Sequence, residues 1–228
     1  MLVKDRQKQA DIVTKRLSEH YPDAKVHLDY KNAFQLLIST ILAAQCRDVL
    51  VNKVMGPLYK EKYKTPQDIL KAGEAKFRDD IKLINFFANK ARLVIGCCKA
   101  LIENFGGKVP STMPELVSLP GVGRKSASVI LGNIFGVKDV IIVDTHVIRV
   151  GGRLGLTDQT VGDKIEKEYK KLIPPDKQFR FSVELSEHGR VICDARYPKC
   201  PVCFLNDICP SAYIVMPERK KKDASKSR

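Results

Sequence analysis

Apolar residues recur at helical spacing along most of the chain. Within Phe34–Leu42 they fall at positions i, i+3, i+4, i+7 and i+8, and Asn32 precedes them as a candidate N-cap. A longer periodic run, Phe87–Phe105, is followed by two glycines, which commonly end a helix. The one run typical of a strand is Val140–Val143, and no similar run is available to pair with it. The pattern predicts an all-α protein.

Polar residues mark where further helices begin. Thr65–Asp68 supplies a cap, a first-turn proline and a carboxylate at the third helical position, and Asp48 can cap the helix before it. Thr112–Glu115 has the spacing of a capping box and opens a short helix that ends at Leu119. Periodicity predicts two more helices, at about 160–172 and 178–192.

Charge favours a polyanionic partner. The 228 residues carry a formal net charge of +14, which is typical of proteins that bind nucleic acid. Part of this excess lies in a predicted basic tail, 213–228, with the run Arg219–Lys222. The N-terminus has no signal-peptide core, and no apolar run is long enough to cross a bilayer. We therefore expect an intracellular protein without a membrane partner.

Cysteine spacing predicts a metal site near the C-terminus. Seven cysteines are an odd number, which argues against a secreted disulfide framework. Four of them form a C-x6-C-x2-C-x5-C pattern: Cys193, Cys200, Cys203 and Cys209. Tetrahedral zinc and an iron–sulfur cluster both suit four thiolates, and the spacing alone does not separate them. The basic residues Arg190, Arg196 and Lys199 lie in or beside this loop. The remaining cysteines, Cys46, Cys97 and Cys98, are predicted core residues.

A glycine turn, Pro120–Gly123, joins two predicted helices, 114–119 and 124–135. Gly121 and Gly123 keep side chains away from backbone N–H groups, and the following helix adds its own unpaired N–H groups. Arg124 stands beside this anion site, which makes a phosphate its natural ligand. An ordinary helix–helix turn would also contain glycine, so the added cation strengthens the prediction.

Lys125 occupies an unfavourable place for a cation, because the N-terminus of a helix is the positive end of its dipole. Its face of the helix carries Val129, Gly132 and Gly136, which predicts partial burial. Both effects disfavour the ammonium form, and a neutral amine is a nucleophile toward electrophilic carbon. A phosphate-binding lysine is an equally good interpretation of this stretch alone.

Asp144 stands at a second helix start. Val143, Val147, Val150 and Leu154 keep helical spacing, so Asp144 is predicted at or near an N-cap, where the dipole keeps it ionised. Capping alone would explain such an aspartate. An ionised carboxylate and an activated lysine, each fixed at a helix start, would also form an acid/base and nucleophile pair. His146 is predicted to be a packing residue.

These motifs together resemble the endonuclease III family of the helix–hairpin–helix DNA glycosylase superfamily. The likeness rests on the hairpin Leu119–Ile130 with its lysine, on Val143–His146 and on the cysteine loop, in the family's order and spacing. It continues through Phe34–Asp48 and covers nearly the whole chain apart from the tail.

The resemblance implies two helical domains with a DNA cleft between them. A six-helix barrel with the helix–hairpin–helix would span 28–137, and 1–27 with 138–212 would form an iron–sulfur domain. The cofactor implied is a 4Fe–4S cluster held by the four cysteines. The implied partner is damaged double-stranded DNA, bound by a monomer.

The implied reaction is removal of oxidised pyrimidines from duplex DNA, followed by cleavage of the strand. Lys125 would attack the sugar and form a Schiff base, and Asp144 would be the catalytic aspartate. Gln45 matches the glutamine that fills the gap left by the extruded base, and Phe86 falls where an apolar wedge enters the stack. Asp48 matches an aspartate near the same pocket. The DNA backbone would be held by Gly121, Gly123, Arg124, Arg196 and Lys199.

Some positions around the base pocket depart from the family's usual pattern. The run Asn85–Ala91 replaces a common Gly-Leu-Tyr sequence, and Ala43 and Arg47 replace smaller or hydroxylated residues. These changes concern lesion preference. A monofunctional mismatch or uracil glycosylase of the same superfamily is one alternative, although such relatives usually lack the lysine. A non-catalytic iron–sulfur protein that binds DNA is another, but binding alone requires neither Lys125 nor Asp144.

Overall fold

The computed structural model describes residues 5–214, which fold into ten α-helices with no strand among them. No helix in this part of the chain is long and apolar enough to cross a membrane. The predicted tail, 213–228, lies outside the described residues from position 215 onward. The helices are α1 (Arg6–His20), α2 (Ala33–Ala43), α3 (Asp48–Glu61), α4 (Pro66–Asp80), α5 (Phe87–Phe105), α6 (Met113–Ser118), α7 (Arg124–Ile134), α8 (Thr145–Arg153), α9 (Gly162–Leu172) and α10 (Gln178–Val191). Two short 3₁₀ helices span Pro175–Lys177 and Cys200–Val202.

Several predicted helix ends are confirmed. The Asn32 side chain accepts a hydrogen bond from the Gln35 N–H at 3.0 Å and so caps α2. Thr65 and Asp68 form a reciprocal capping box at the start of α4. Gly106 ends α5 in the left-handed conformation, with φ of 58°. The run Val140–Val143 is not a strand, as the lack of a partner predicted.

Two predicted caps are wrong. Arg47, not Asp48, precedes α3, so the Asp48 carboxylate lies in the first turn, where the helix dipole favours a negative charge. At α6, the Thr112 hydroxyl donates to the Glu115 carboxylate at 2.6 Å and makes no bond to the backbone. The two side chains satisfy each other, so the predicted capping box does not form.

One compact unit consists of Lys25–Ile142 with Pro175–Phe179, and it holds the six helices α2–α7. Helix α2 is buried on nearly every side, with Leu36, Leu37 and Ile38 fully inaccessible. It contacts α3, α5 and α7, while α4 packs along α5 and α6 packs on α7. A helix that is apolar all round is stable only inside such a cluster, so α2 forms the centre of this unit.

The second unit takes its described residues from three stretches: those up to Ala24, Val143–Pro174, and those from Arg180 onward. It holds α1, α8, α9, α10 except for its first two residues, and the cysteine loop. Helix α1 is tied to distant segments, since the buried Gln9 amide donates to the carbonyl oxygens of Leu154 and Ile208 at 3.1 and 3.0 Å. These bonds join the start of the described chain to its end.

The short segment Pro175–Phe179 belongs to the unit that contains Lys25–Ile142. The predicted division had placed this segment in the iron–sulfur domain, with 138–212. The Phe179 N–H donates to the Lys138 carbonyl at 2.9 Å. Its ring lies over Gly132, where an added Cβ would come within 2.0 Å of ring carbon. Gly132 is therefore explained by this packing contact.

Candidate functional site

The turn between α6 and α7 requires glycine at position 121. Gly121 has φ of +80°, a conformation that other residues rarely adopt. A Cβ at this position would lie 3.1 Å from Ile41 and 3.3 Å from Leu93. Backbone conformation and close packing both require Gly121, which fixes the hairpin against α2 and α5.

Gly123 serves a different purpose. It is the N-cap of α7, with φ of −95° and ψ of 177°, and no side chain caps this helix. A Cβ here would meet no atom within 4 Å, so the fold does not require glycine. No side chain therefore covers the N–H groups of the first turn of α7, and the anion site stays a prediction.

Lys125 is the second residue of α7 and is exposed, so the predicted partial burial is wrong. Side chains in a helix lean toward its N-terminus, which directs this lysine away from the packed body of α7. Val129, one turn further along the same predicted face, is only 7% exposed, so the face is buried there and not at Lys125. Arg124 is exposed as well, so two exposed cations follow the glycine turn.

Asp144 is the N-cap of α8, as predicted, and both of its oxygens are engaged. Oδ1 accepts a hydrogen bond from the Val147 N–H at 2.8 Å. Oδ2 accepts one from the Ser186 hydroxyl at 2.6 Å, a length typical of a bond to an ionised carboxylate. Ser186 lies on α10, 42 residues away in sequence, so no local pattern indicated this contact.

His146 is a packing residue, in keeping with its prediction. It is half-buried, and the Arg149 guanidinium donates to its Nδ1 at 3.1 Å. Burial lowers the pKa of His146, and the positive charges of Arg190 and Arg149 add to this effect against the attraction of Asp144. The imidazole is therefore neutral near pH 7 and fills space between α8 and Gly189.

The four cysteines of the C-terminal pattern line one cavity. Within residues 5–214, no three His, Cys, Asp or Glu side chains come together closely enough to ligate a single metal ion. Four thiols around one cavity suit tetrahedral zinc and an iron–sulfur cluster alike. The donor set is all sulfur, which also suits iron–sulfur chemistry.

Neighbouring groups hold these cysteines in place. Arg153 donates to the Cys193 sulfur at 3.3 Å, and the Cys209 thiol donates to the Arg153 carbonyl at 3.4 Å. Burial raises the pKa of the Cys203 thiol to about 11 and also raises that of Cys209. Both thiols are neutral at pH 7 without a metal, so binding of a metal group would release protons.

Arg196 and Lys199 are exposed on the loop between the first two cysteines. Asp194 shapes this loop, because its Oδ1 accepts the N–H groups of Arg196 and Tyr197 at 2.9 and 3.0 Å. Tyr197 is 71% exposed beside them. Cations interleaved with an exposed aromatic ring are typical of surfaces that bind nucleic acid.

Gln45 and Phe86 share an unusual conformation. Both are exposed and left-handed, with φ of 53° and 58°, although neither is glycine. The Asn85 side chain donates to the Gln45 carbonyl at 3.1 Å and so joins the two loops. Strained residues of this kind concentrate at functional sites. The structure therefore brings together two residues that the sequence predicted to act on the base stack.

Lys90 is a supporting residue that sequence reasoning missed. It is 4% exposed, and its ammonium donates to the Leu42 carbonyl at 2.7 Å, in the last turn of α2. Burial lowers the pKa of Lys90, opposed by Cys46. This bond satisfies a carbonyl at the end of α2, three residues before Gln45. A lysine in the first turn of an amphipathic helix carries no sequence signal for this task.

The cysteines outside the loop divide into two kinds. Cys97 and Cys98 are fully buried in α5, as predicted, and burial raises the pKa of Cys97 to about 12. Cys46 was predicted to be in the core but is partly exposed, because it lies in the loop next to Gln45. Asp48, the candidate pocket residue, is half-buried in the first turn of α3.

Comparison with known proteins identifies this arrangement. A family model described as HhH-GPD superfamily base excision DNA repair protein matches residues 38–175. The chain is 42% identical to endonuclease III of Synechocystis sp. over 209 residues, covering 92% of this chain and 94% of the relative.

Two solved structures match with a TM-score of 0.86 at 38% identity and cover 93% of this chain. One is a trapped endonuclease III–DNA covalent intermediate, covered over 98% of its length, and the other is a non-covalent endonuclease III–DNA complex, covered over 97%. Because these matches extend over nearly the whole sequence, the chain belongs to the endonuclease III family within the HhH-GPD superfamily of base excision DNA repair proteins.

Proposed function

We propose that this protein removes oxidised pyrimidines from damaged duplex DNA and then cuts the strand on the 3′ side of the lesion, with Lys125 as the nucleophile. Membership of the endonuclease III family makes the chain a DNA glycosylase with lyase activity. The identity of the lesion and the roles of individual residues are the proposal. We further propose that it acts as a monomer on DNA inside the cell.

The observation that supports the proposal best is the position of Lys125. It stands exposed at the start of α7, directly after the Gly121–Gly123 turn, in a chain similar to an endonuclease III trapped in a covalent DNA intermediate. A lysine held beside a phosphate-binding turn lies next to the DNA backbone, where a deoxyribose carbon is within reach. Because the protein does not bury this amine, the bound duplex has to exclude water from it.

The chemistry proceeds through a Schiff base. The neutral amine of Lys125 attacks C1′ of the damaged nucleotide, and the base leaves with the electrons of the glycosidic bond. The sugar ring opens to an imine, which makes the C2′ proton acidic. Loss of that proton expels the 3′ phosphate by β-elimination, and water then hydrolyses the imine to return the lysine. No external oxidant or reductant is required.

Asp144 supplies the negative charge for this reaction. Its carboxylate is held at the start of α8 by the Val147 N–H and by Ser186. We assign it two tasks: to assist deprotonation of the lysine and to offset the positive charge that develops on the sugar as the base departs.

The remaining residues handle the DNA. Gln45 fills the gap left by the extruded base, and Phe86, 64% exposed, enters the stack as the wedge. Asp48 lies near the pocket that receives the base. The phosphate backbone is held by Gly121, Gly123, Arg124, Arg196 and Lys199.

We propose that the four cysteines hold a 4Fe–4S cluster with a structural role. The cavity they line and the all-sulfur donor set fit this group. When bound, the cluster fixes the loop that carries Arg196 and Lys199. Protein purified without oxygen should be yellow-brown and contain iron and sulfide, whereas colourless protein with stoichiometric zinc would overturn this assignment.

A panel of duplexes tests the activity. Each duplex carries thymine glycol, dihydrouracil, uracil, an abasic site or a mismatch, and base release and strand cleavage are measured separately. We expect release and cleavage at the oxidised pyrimidines, and borohydride should trap a covalent adduct. Base release from mismatches or uracil without cleavage would indicate a monofunctional glycosylase. Binding without either reaction would indicate a non-catalytic protein, and a Lys125→Ala variant that still forms the adduct would refute the role of Lys125.

A further inference from the structure

Ser186, on α10, forms a hydrogen bond with the Asp144 carboxylate from outside α8. Its hydroxyl lies 2.6 Å from Oδ2, and both residues are half-buried within the same unit of the chain. An ionised carboxylate accepts hydrogen bonds only, so the serine has to be the donor. With Oδ1 bonded to the Val147 N–H, the two contacts fix the rotation of the carboxylate.

The position of Ser186 in the helix is informative. It lies inside α10, where serine usually points to solvent or bonds to the carbonyl four residues earlier. Serine also forms helices less readily than alanine. The side chain here reaches across to α8 instead, which gives up the local bond in favour of a contact with a charged group.

We propose that Ser186 is a positioning residue for Asp144 in the reaction. This inference rests on the proposed function, because it needs Asp144 to be the catalytic carboxylate. By donating to Oδ2, the serine holds the carboxylate in one orientation before DNA binds. Asp144 then meets the developing charge on the sugar without first having to rotate.

Helix capping does not account for this contact. The N-cap bond needs one oxygen, and Oδ1 already makes it to Val147. A serine on Oδ2 adds little to that cap, but it determines where the second oxygen points. The role proposed for Ser186 therefore concerns reaction rate more than helix stability.

The test measures the single-turnover rate of base release with a thymine glycol duplex. Ser186→Ala should slow release by about 10- to 100-fold, the effect expected for losing a hydrogen bond to a charged group. The dissociation constant for DNA should stay within about twofold, because the lost bond is internal. Ser186→Thr keeps the hydroxyl and should restore most of the rate.

A matched control is Ser182→Ala, which removes a buried serine one turn earlier on the same helix. It should release the base at the wild-type rate. Melting temperatures of all variants show whether each protein is folded. The melting temperature of Ser186→Ala should lie within about 2 °C of the wild-type value, because alanine favours the helix.

A double-mutant comparison separates positioning from general structure. In an Asp144→Ala background, Ser186→Ala should have no further effect on the rate, whereas a structural role would slow release by the same factor in both backgrounds. If the wild type releases base and Asp144→Ala is slow, but Ser186→Ala keeps the full rate, the Ser186 inference is wrong and the proposed function stands. If the wild type releases no base, the proposed function itself is wrong.

Discussion

The N-termini of α7 and α8 carry the two residues proposed for the chemistry, and they are built in different ways. At α7, Gly123 caps the helix without a side chain, and Lys125 stands exposed in solvent. At α8, Asp144 caps the helix with its own carboxylate, is half-buried and accepts a second bond from Ser186. No side chain caps the first turn of α7, whereas the Asp144 carboxylate accepts the Val147 N–H in the first turn of α8.

This difference matches the two roles. A nucleophile has to reach and attack a carbon atom and later be released from it, and an exposed lysine with a flexible side chain is suited to this role. A carboxylate that offsets developing charge is most effective when its orientation is fixed in advance. The comparison therefore predicts that function and stability are separable at α7 and linked at α8.

The largest effect is expected at Lys125. Lys125→Met should reduce strand cleavage by about 10⁴-fold, because no other group can form the Schiff base. Its melting temperature should change by no more than about 1 °C, since an exposed side chain contributes little to stability. Strand-nicking kinetics and thermal melts measure both quantities. A drop of several degrees would contradict the separation proposed for α7.

Asp144 should show both effects together. Asp144→Ala should slow base release by about 10²- to 10³-fold and lower the melting temperature by about 2–4 °C, because the helix loses a cap that contributes about 1 kcal/mol. Asp144→Asn retains a capping side chain and should restore the melting temperature without the rate. Equal stability of wild type and Asp144→Ala would break the link proposed for α8.

The two hairpin glycines should respond in opposite directions. Gly121→Ala should destabilise the protein by about 1–3 kcal/mol, owing to its positive φ and the close approach of Ile41. Gly123→Ser should keep or raise stability by a few tenths of a kcal/mol, since serine is a good N-cap. It should nevertheless weaken DNA binding by placing a side chain in the anion site. Denaturant unfolding and binding titrations distinguish these outcomes; tighter DNA binding by Gly123→Ser would refute the phosphate site.

A small stabilising effect is expected at Phe86. Phe86→Asn should stabilise the protein by about 0.5–1 kcal/mol, because asparagine tolerates the left-handed conformation that phenylalanine occupies under strain. Base release should become slower, since the wedge is lost. The exposed Leu83→Asn, at an ordinary backbone position nearby in sequence, serves as the comparison and should gain no stability. A destabilised Phe86→Asn would show that the ring packs against the protein.

Sequence patterns predicted those features that depend on residues close in the chain. The caps at Asn32 and Thr65, the glycine end of α5 and the N-cap Asp144 all follow from contacts within about four residues. The two wrong caps also have local causes. The helix at Asp48 begins one residue earlier than predicted, and the Thr112 hydroxyl bonds to the nearby Glu115 side chain instead of the backbone. The prediction that Lys125 is partly buried was wrong. Periodicity shows which face of a helix is apolar, but it does not show where along the helix that face stops contacting the rest of the protein.

The amino-acid sequence by itself determined the all-α class, the glycine turn with its lysine, the aspartate at a helix start and the spacing of four cysteines. Only the tertiary structure decided that Ser186 bonds Asp144 across 42 residues and that Lys90 bonds Leu42 across 48. It also decided that Lys125 remains in solvent. The physical reason is that helix periodicity and capping are set within a turn or two, whereas a side-chain contact between distant segments depends on how all the intervening helices pack.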